Sequence, residues 1–215
     1  MILKDISLAT PQENILYDEV LLQLAEEGKS DQVLRFWESK HYFIVLGRTC
    51  DENQDLKREK IIRDGIPVLR RSSGGGTVIQ GPGCLNYSFI LSKQKTPEIA
   101  DLHQSYVYIL NKVVSALNSL GRNCAFYPIS DIALTQDRKK VSGNAQKRGR
   151  NCILHHGTLL YYFDLNKIEQ YLNMPSDIPE YREGRNHLDF VANLELNASF
   201  IKKELQKSFS IQRVE

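Results

Sequence analysis

A chain of 215 residues with 28 basic and 26 acidic side chains carries a formal net charge of +2, too even a balance for an overall field that would hold nucleic acid. Its 41% hydrophobic and 25% charged residues are ordinary for a globular protein, and the length suits one domain with its own core. No apolar run nears the roughly 18 residues of a membrane span, and the opening MILKDISLATPQEN lacks the basic start and long apolar centre of a secretory leader, so a cytoplasmic protein without membrane contact is expected.

Taken in chain order, TPQENILYDEVLLQLAEEG predicts a helix. Thr10 and Glu13 form a capping box, Pro11 occupies the first helical position and Gly28 follows the end. VLRFW (33–37) and YFIVLG (42–47) predict strands, and 54–63 a short polar helix. A strand over 65–71 leads into a glycine triplet, and TVIQ and LNYSFIL (85–91) are further strands separated by the turn GPG. The apolar spacing of 98–119 predicts a long helix ended by Gly121. Strands near 124–127, 131–135, 140–143 and 151–163, helices near 165–172 and 198–209, and an irregular Pro-containing stretch to about 190 complete the chain. Hairpins between helices, without strict βαβ alternation, point to an α+β fold with a mixed, mostly antiparallel sheet flanked by helices. We read residues 1–215 as a single domain.

Three stretches hold candidate chemistry. In RRSSGGGTVIQGPG (70–83), successive backbone N–H groups beside Arg70, Arg71, Ser72 and Ser73 can form an anion-binding nest, or a flexible hairpin with two solvated arginines. Neither GxxxxGK[ST] nor GxGxxG can be drawn through it. DRKKVSGNAQKRGRN (137–151) is either a solvated basic loop or a segment whose small residues bring Lys140 against developing negative charge. HHGTLL (155–160) places Gly157 inside an apolar strand, as a ligand approach or a bulge would require. The four cysteines lack CxxC spacing and the five histidines include no HExxH, which argues against zinc and fits free thiols in a reducing compartment.

Together and in this order, RRSSGGGTV, RKKVSGNAQKR and HHGTLL resemble the three catalytic-domain motifs of the lipoate–protein ligase family. NILYDEVLL, VLGR and RNHLDFVANL extend the resemblance over roughly 14–194. The resemblance implies the fold of the biotin and lipoate ligases, related to class II synthetases. It implies ATP-dependent activation of lipoate or octanoate to an acyl-adenylate, then transfer to a lysine of a lipoyl domain, with ATP and Mg2+ as cofactors. It assigns Lys140 to the activated carboxyl and phosphate oxygens, and Arg70, Ser72, Gly74, Gly75, Gly76, Thr77 and Val78 to the acyl and phosphate region. Ser142, Gly143 and Ala145 would bound the adenylate, His156, Gly157 and Thr158 the lipoyl pocket, and Asp131 would lie near nucleotide and magnesium. The implied acceptors are lipoyl domains of 2-oxoacid dehydrogenase complexes or the glycine cleavage H protein, with Lys139, Lys147, Arg148 and Arg150 as an expected docking face.

The chain departs from the family pattern at Gln80-Gly81-Pro82-Gly83-Cys84, where HDxGN is usual, and at Ser130-Asp131, where an Asn-Asp pair is usual. It ends at Glu215 without the C-terminal accessory domain of many relatives, so a separate accessory chain is one expectation. The alternatives are a cysteine-dependent octanoyl or lipoyl transferase with Cys124 as nucleophile, a non-catalytic lipoate-binding module, or biotin as the substrate.

Overall fold

The computed structural model describes residues 1–211 and, as backbone, Arg213 and Val214. Its elements in chain order are β1 (Ile2–Asp5), α1 (Pro11–Glu26), β2 (Val33–Trp37), β3 (Phe43–Leu46), α2 (Glu52–Asp55), α3 (Arg58–Asp64), β4 (Val68–Arg70), β5 (Val78–Gln80) and β6 (Cys84–Ser92). There follow α4 (Leu102–Ser119), β7 (Cys124–Tyr127), β8 (Asp131–Leu134), β9 (Lys140–Arg148), β10 (Cys152–Leu160), α5 (Asn166–Tyr171), α6 (His187–Phe190), α7 (Ala198–Ser208) and β11 (Arg213–Val214).

An eight-stranded sheet runs in the order β11-β1-β2-β6-β10-β9-β8-β7, and a three-stranded sheet in the order β4-β3-β5. β1 is parallel to β2 and β11, and β3 to β4; the remaining named pairs are antiparallel. The fold is therefore α+β with a mixed, mostly antiparallel sheet.

Alternation along the strands sets the two faces of the large sheet. Leu34, Phe36, Tyr87, Phe89, Ile153 and Leu159 meet Ile109, Val113 and Leu117 of α4 and Ile201 and Leu205 of α7 in the largest core. Asp101 caps α4 by accepting from Gln104 N at 2.8 Å, which fixes where that helix starts. On the opposite face Val33, Ile90 and Leu154 pack on Leu21 and Leu22 of α1. The capping box expected at Thr10 and Glu13 is formed. Arg35, wholly buried, holds α1 to this face through Asp18 at 2.7 Å and Asn14 O at 2.8 Å. Removing one partner of such a buried pair costs about 3–5 kcal/mol. The small sheet covers the rest of the same face, with Phe43, Val45 and Val78 against Trp37.

Some expectations shift. The helix expected from 98 starts at Leu102, after the Asp101 cap and a separate 3-10 turn over Pro97–Ile99. The helix expected over 54–63 breaks at Leu56, which is extended, buried and bridged to Leu172, so α2 and α3 are separate turns. The basic run after residue 137 does not loop out: β9 extends to Arg148, whose guanidinium donates to Ile99 O at 2.7 Å and Ala100 O at 2.6 Å.

Candidate active site

The small sheet and the Trp37 face of the large one bound the region where the expected residues gather. β4 delivers the chain to a loop coiled around one buried cation. Arg71 donates to Gly74 O at 2.7 Å, Gly76 O at 2.8 Å, Ser73 Oγ at 3.0 Å and Val45 O at 3.3 Å. Gly75 lies at φ +83°, a left-handed conformation that a side chain would strain, and a Cβ there would also meet Arg71 Nη2 at 3.0 Å. A Cβ on Gly47 would overlap the Gly75 carbonyl, so the 47–50 turn and the glycine loop meet backbone to backbone. Around Gly74 and Gly76, by contrast, an added Cβ would find nothing within 4 Å.

Arg70 faces the other side of this turn. Its Nη1 donates to Gly47 O at 2.8 Å and Cys50 O at 2.9 Å. Both arginines of the motif are thus committed to main-chain carbonyls, and the hydroxyl of Ser72 has no protein partner among the described residues. Thr77 donates to the Asp55 carboxylate. Val78 contributes to the apolar wall with Trp37, Phe43 and Leu69.

On the loop's side of the sheet, register places His156 and Ala145 in one row with Ser88, which is buried and donates to Asp18, and pairs Asn86 with Thr158 in the next. His156 Nε2 lies 2.7 Å from Ser73 Oγ. Burial, assisted by the neighbouring Arg71 cation, lowers the His156 imidazole to about 3, so this bond joins two neutral groups. Ala145 lies 3.6 Å from where a Cβ of Gly75 would stand.

Lys140 opens β9 beside a register irregularity at Ile132/Ala133. A Cβ on Gly143 would lie 3.1 Å from both its Cε and its Nζ, so the glycine leaves room for the ammonium. Lys140 Nζ pairs with Asp131 Oδ1 at 2.7 Å, and Tyr181 donates to Asp131 Oδ2 at 2.7 Å.

Not every expected residue joins this group. Ser142 Oγ accepts from Asn144 Nδ2 at 3.2 Å and lies with Tyr87, on the core side. A Cβ on Gly157 would overlap Asn144 Oδ1 and come within 2.6 Å of Tyr87 Oη, so this glycine serves packing behind the sheet. Cys124 is a correction: it is buried in the α4 core on the edge strand β7, and burial pushes its thiol up to about 11, which unsuits it as a nucleophile. The four-cation docking face also dissolves. Lys147 pairs with Glu19 at 3.5 Å, Arg148 is tied to the carbonyls of Ile99 and Ala100, and Lys139 and Arg150 flank opposite ends of β9, on the order of 30 Å apart.

Residues absent from the expected set complete the arrangement. Cys50, half-buried, donates from Sγ to Gly75 O at 3.4 Å, and its place beside VLGR was the available signal. Asp55 and Tyr181 reach the site from segments whose sequence carries no motif. Asp131 does not fit a resident magnesium site: each carboxylate oxygen already has a partner, and no cluster of three or more His, Cys, Asp or Glu forms a metal site among the described residues.

A sheet-and-loop architecture of this kind recurs in solved ligases. The chain superposes on a bi-partite lipoate protein ligase of Thermoplasma acidophilum, described with its E2 lipoyl domain, with a TM-score of 0.81, 21% identity and coverage of 97% of this chain and 81% of that one. A lipoate-protein ligase A bound with ATP gives a TM-score of 0.80, 22% identity and coverage of 97% and 83%. At this identity the likeness establishes the fold, that of the lipoate ligases. In sequence, a probable lipoate-protein ligase A of Mycoplasma pneumoniae is 32% identical over 164 residues, which are 76% of this chain and 46% of that protein. The chain spans about half the length of the curated relatives it matches. Residues 10–214 match the family model of the lipoyl protein ligase A/B catalytic domain, and the chain belongs to that family. No helix among the described residues is long and apolar enough to cross a membrane.

Proposed function

We propose that this chain is one catalytic unit of an ATP-dependent lipoate–protein ligase. The observation that carries the reading is the position of Lys140, a partly exposed ammonium at the start of β9, lying over Gly143 and on the same side of the sheet as a glycine loop with open space at Gly74 and Gly76. Family membership and the ATP-bound ligase of the same fold support it.

In the first half-reaction a lipoate or octanoate carboxylate attacks the α-phosphate of ATP, the bond to the β-phosphate bridging oxygen breaks, and pyrophosphate leaves. The glycine loop, with its free Ser72 hydroxyl, and Gly143 would receive the acyl-phosphate region. Trp37, Val45 and Val78 would line the acyl chain. Magnesium would enter as the chelate of ATP. In the second half-reaction a lysine amine of a lipoyl domain attacks the activated carbonyl, AMP leaves with the bonding pair, and the amine proton is lost. Throughout, Lys140 offsets charge growing on carboxyl and phosphate oxygens.

Lipoyl domains of 2-oxoacid dehydrogenases or the glycine cleavage H protein are the proposed acceptors, in keeping with the lipoyl domain described with the Thermoplasma ligase. A cysteine-dependent transfer is not favoured, because Cys124 is buried with a raised thiol. Lipoate-dependent exchange of label between pyrophosphate and ATP tests the first half-reaction. The reading expects exchange that disappears in Lys140→Ala; exchange retained in that variant would remove Lys140 from the chemistry.

A further inference from the structure

We infer that Tyr181 is a positioning residue for Lys140, acting through Asp131 as the second donor that lets the ammonium leave its carboxylate for substrate. The inference rests on the ligase reading. Asp131 is 7% exposed and each of its oxygens has one partner, Lys140 Nζ and Tyr181 Oη, both at 2.7 Å. Among the described residues no third donor reaches it. A buried carboxylate that loses the cation bonded to it is costly, even with the Arg182 charge in its neighbourhood. If Lys140 were the sole partner of Asp131, its departure toward a substrate oxygen would carry that full penalty. With the phenol in place, the carboxylate keeps a hydrogen bond while the ammonium moves.

The surroundings of Tyr181 fit this task. Its ring packs, tilted, against Tyr127 at 4.7 Å and Phe190 at 5.2 Å. Its backbone carbonyl accepts from Arg185 Nη2 at 2.9 Å, and Arg185 donates further to Asp137 O at 2.9 Å and Arg138 O at 3.2 Å, the turn that leads into β9. Ala192 N donates to the Lys140 carbonyl at 3.0 Å. The segment carrying Tyr181 is therefore laced to the backbone that carries Lys140 at both ends. Burial and the adjacent Asp131 push the phenol far above its ordinary range, so it stays a donor at every working pH.

The test is a double-mutant cycle on Tyr181→Phe, Asp131→Asn and the double variant, using lipoate-dependent pyrophosphate exchange with activity expressed per folded molecule. Tyr181→Phe keeps the packed ring and removes one charge-assisted hydrogen bond, so kcat should fall about ten-fold with the KM values for ATP and lipoate little changed. Adding Tyr181→Phe to Asp131→Asn should cost little more, because no buried charge then needs the phenol. Multiplicative losses in the double variant, or a Tyr181→Phe enzyme with wild-type kcat, would overturn the inference. A wild-type enzyme without lipoate-dependent exchange would instead overturn the ligase reading beneath it.

Discussion

Ser73 Oγ lies 2.7 Å from His156 Nε2, the side-chain bond that ties the glycine loop to the central strand β10. Because His156 is held neutral, this is an ordinary hydrogen bond worth about 1 kcal/mol. Ser73→Ala also removes the acceptor of Arg71 Nε, so it should lower stability by about 1–2 kcal/mol and raise the KM for lipoate roughly five-fold. Steady-state kinetics with lipoate as the varied substrate checks this; an unchanged KM would mean the loop is set by Arg71 and the 47–50 turn without the His156 bond.

The three glycines should behave differently on substitution. Gly75→Ala meets a left-handed backbone and Arg71 Nη2, and should lose about 1–2 kcal/mol of stability. Gly74→Ala and Gly76→Ala face open space in the free protein, and stability should change by less than about 0.5 kcal/mol. If that space receives the acyl-phosphate, both should nonetheless lose most of their exchange activity. Wild-type turnover in Gly76→Ala would assign the triplet to turn geometry only.

His155 is wholly buried and its imidazole is lowered to about 3, chiefly by burial. A folded pKa below the unfolded value of 6.5 means that only the unfolded chain takes up the proton between pH 6.5 and 3. Stability from this residue is whole above 6.5 and falls as pH drops through that window, by about 1.4 kcal/mol per pH unit. His155→Gln should flatten the stability-versus-pH curve between pH 6 and 5 by that slope, measured by urea unfolding. An unaltered slope would show that His155 titrates in the folded protein.

Cys124 separates the two acyl-transfer chemistries. Cys124→Ser places a hydroxyl in the α4 core and should cost about 1–3 kcal/mol of stability without lowering kcat. A variant that stays folded but cannot transfer the acyl group would restore the thioester route.

Much of this was legible from residue types. The capping box, the amphipathic spacing of α4 and the β-rich runs predicted elements that the fold contains, because they are decided by local chemistry, by one buried helix face, or by runs apolar enough to be buried on both faces. What was hidden depends on pairing. β1 spans only Ile2–Asp5 and takes its strand character from β2 and β11. β9 reads as a charge run until its partners bury Ser142 and Asn144. Gly157 and Ser142 sit inside the right motifs, but strand parity turns them toward Tyr87, away from Lys140. Tyr181 lies 50 residues from Asp131 in a stretch without regular patterning, and only the folded chain brings them together.

The central claim is acyl transfer that depends on ATP and Lys140, and mass spectrometry of an apo lipoyl domain tests it most directly. One incubation contains the protein, lipoate, ATP and magnesium; a second contains octanoyl-carrier protein and no ATP; each is repeated with Lys140→Ala. The account predicts a lipoyl adduct on the acceptor lysine in the first incubation alone, lost in the variant. Modification only in the second incubation would contradict it.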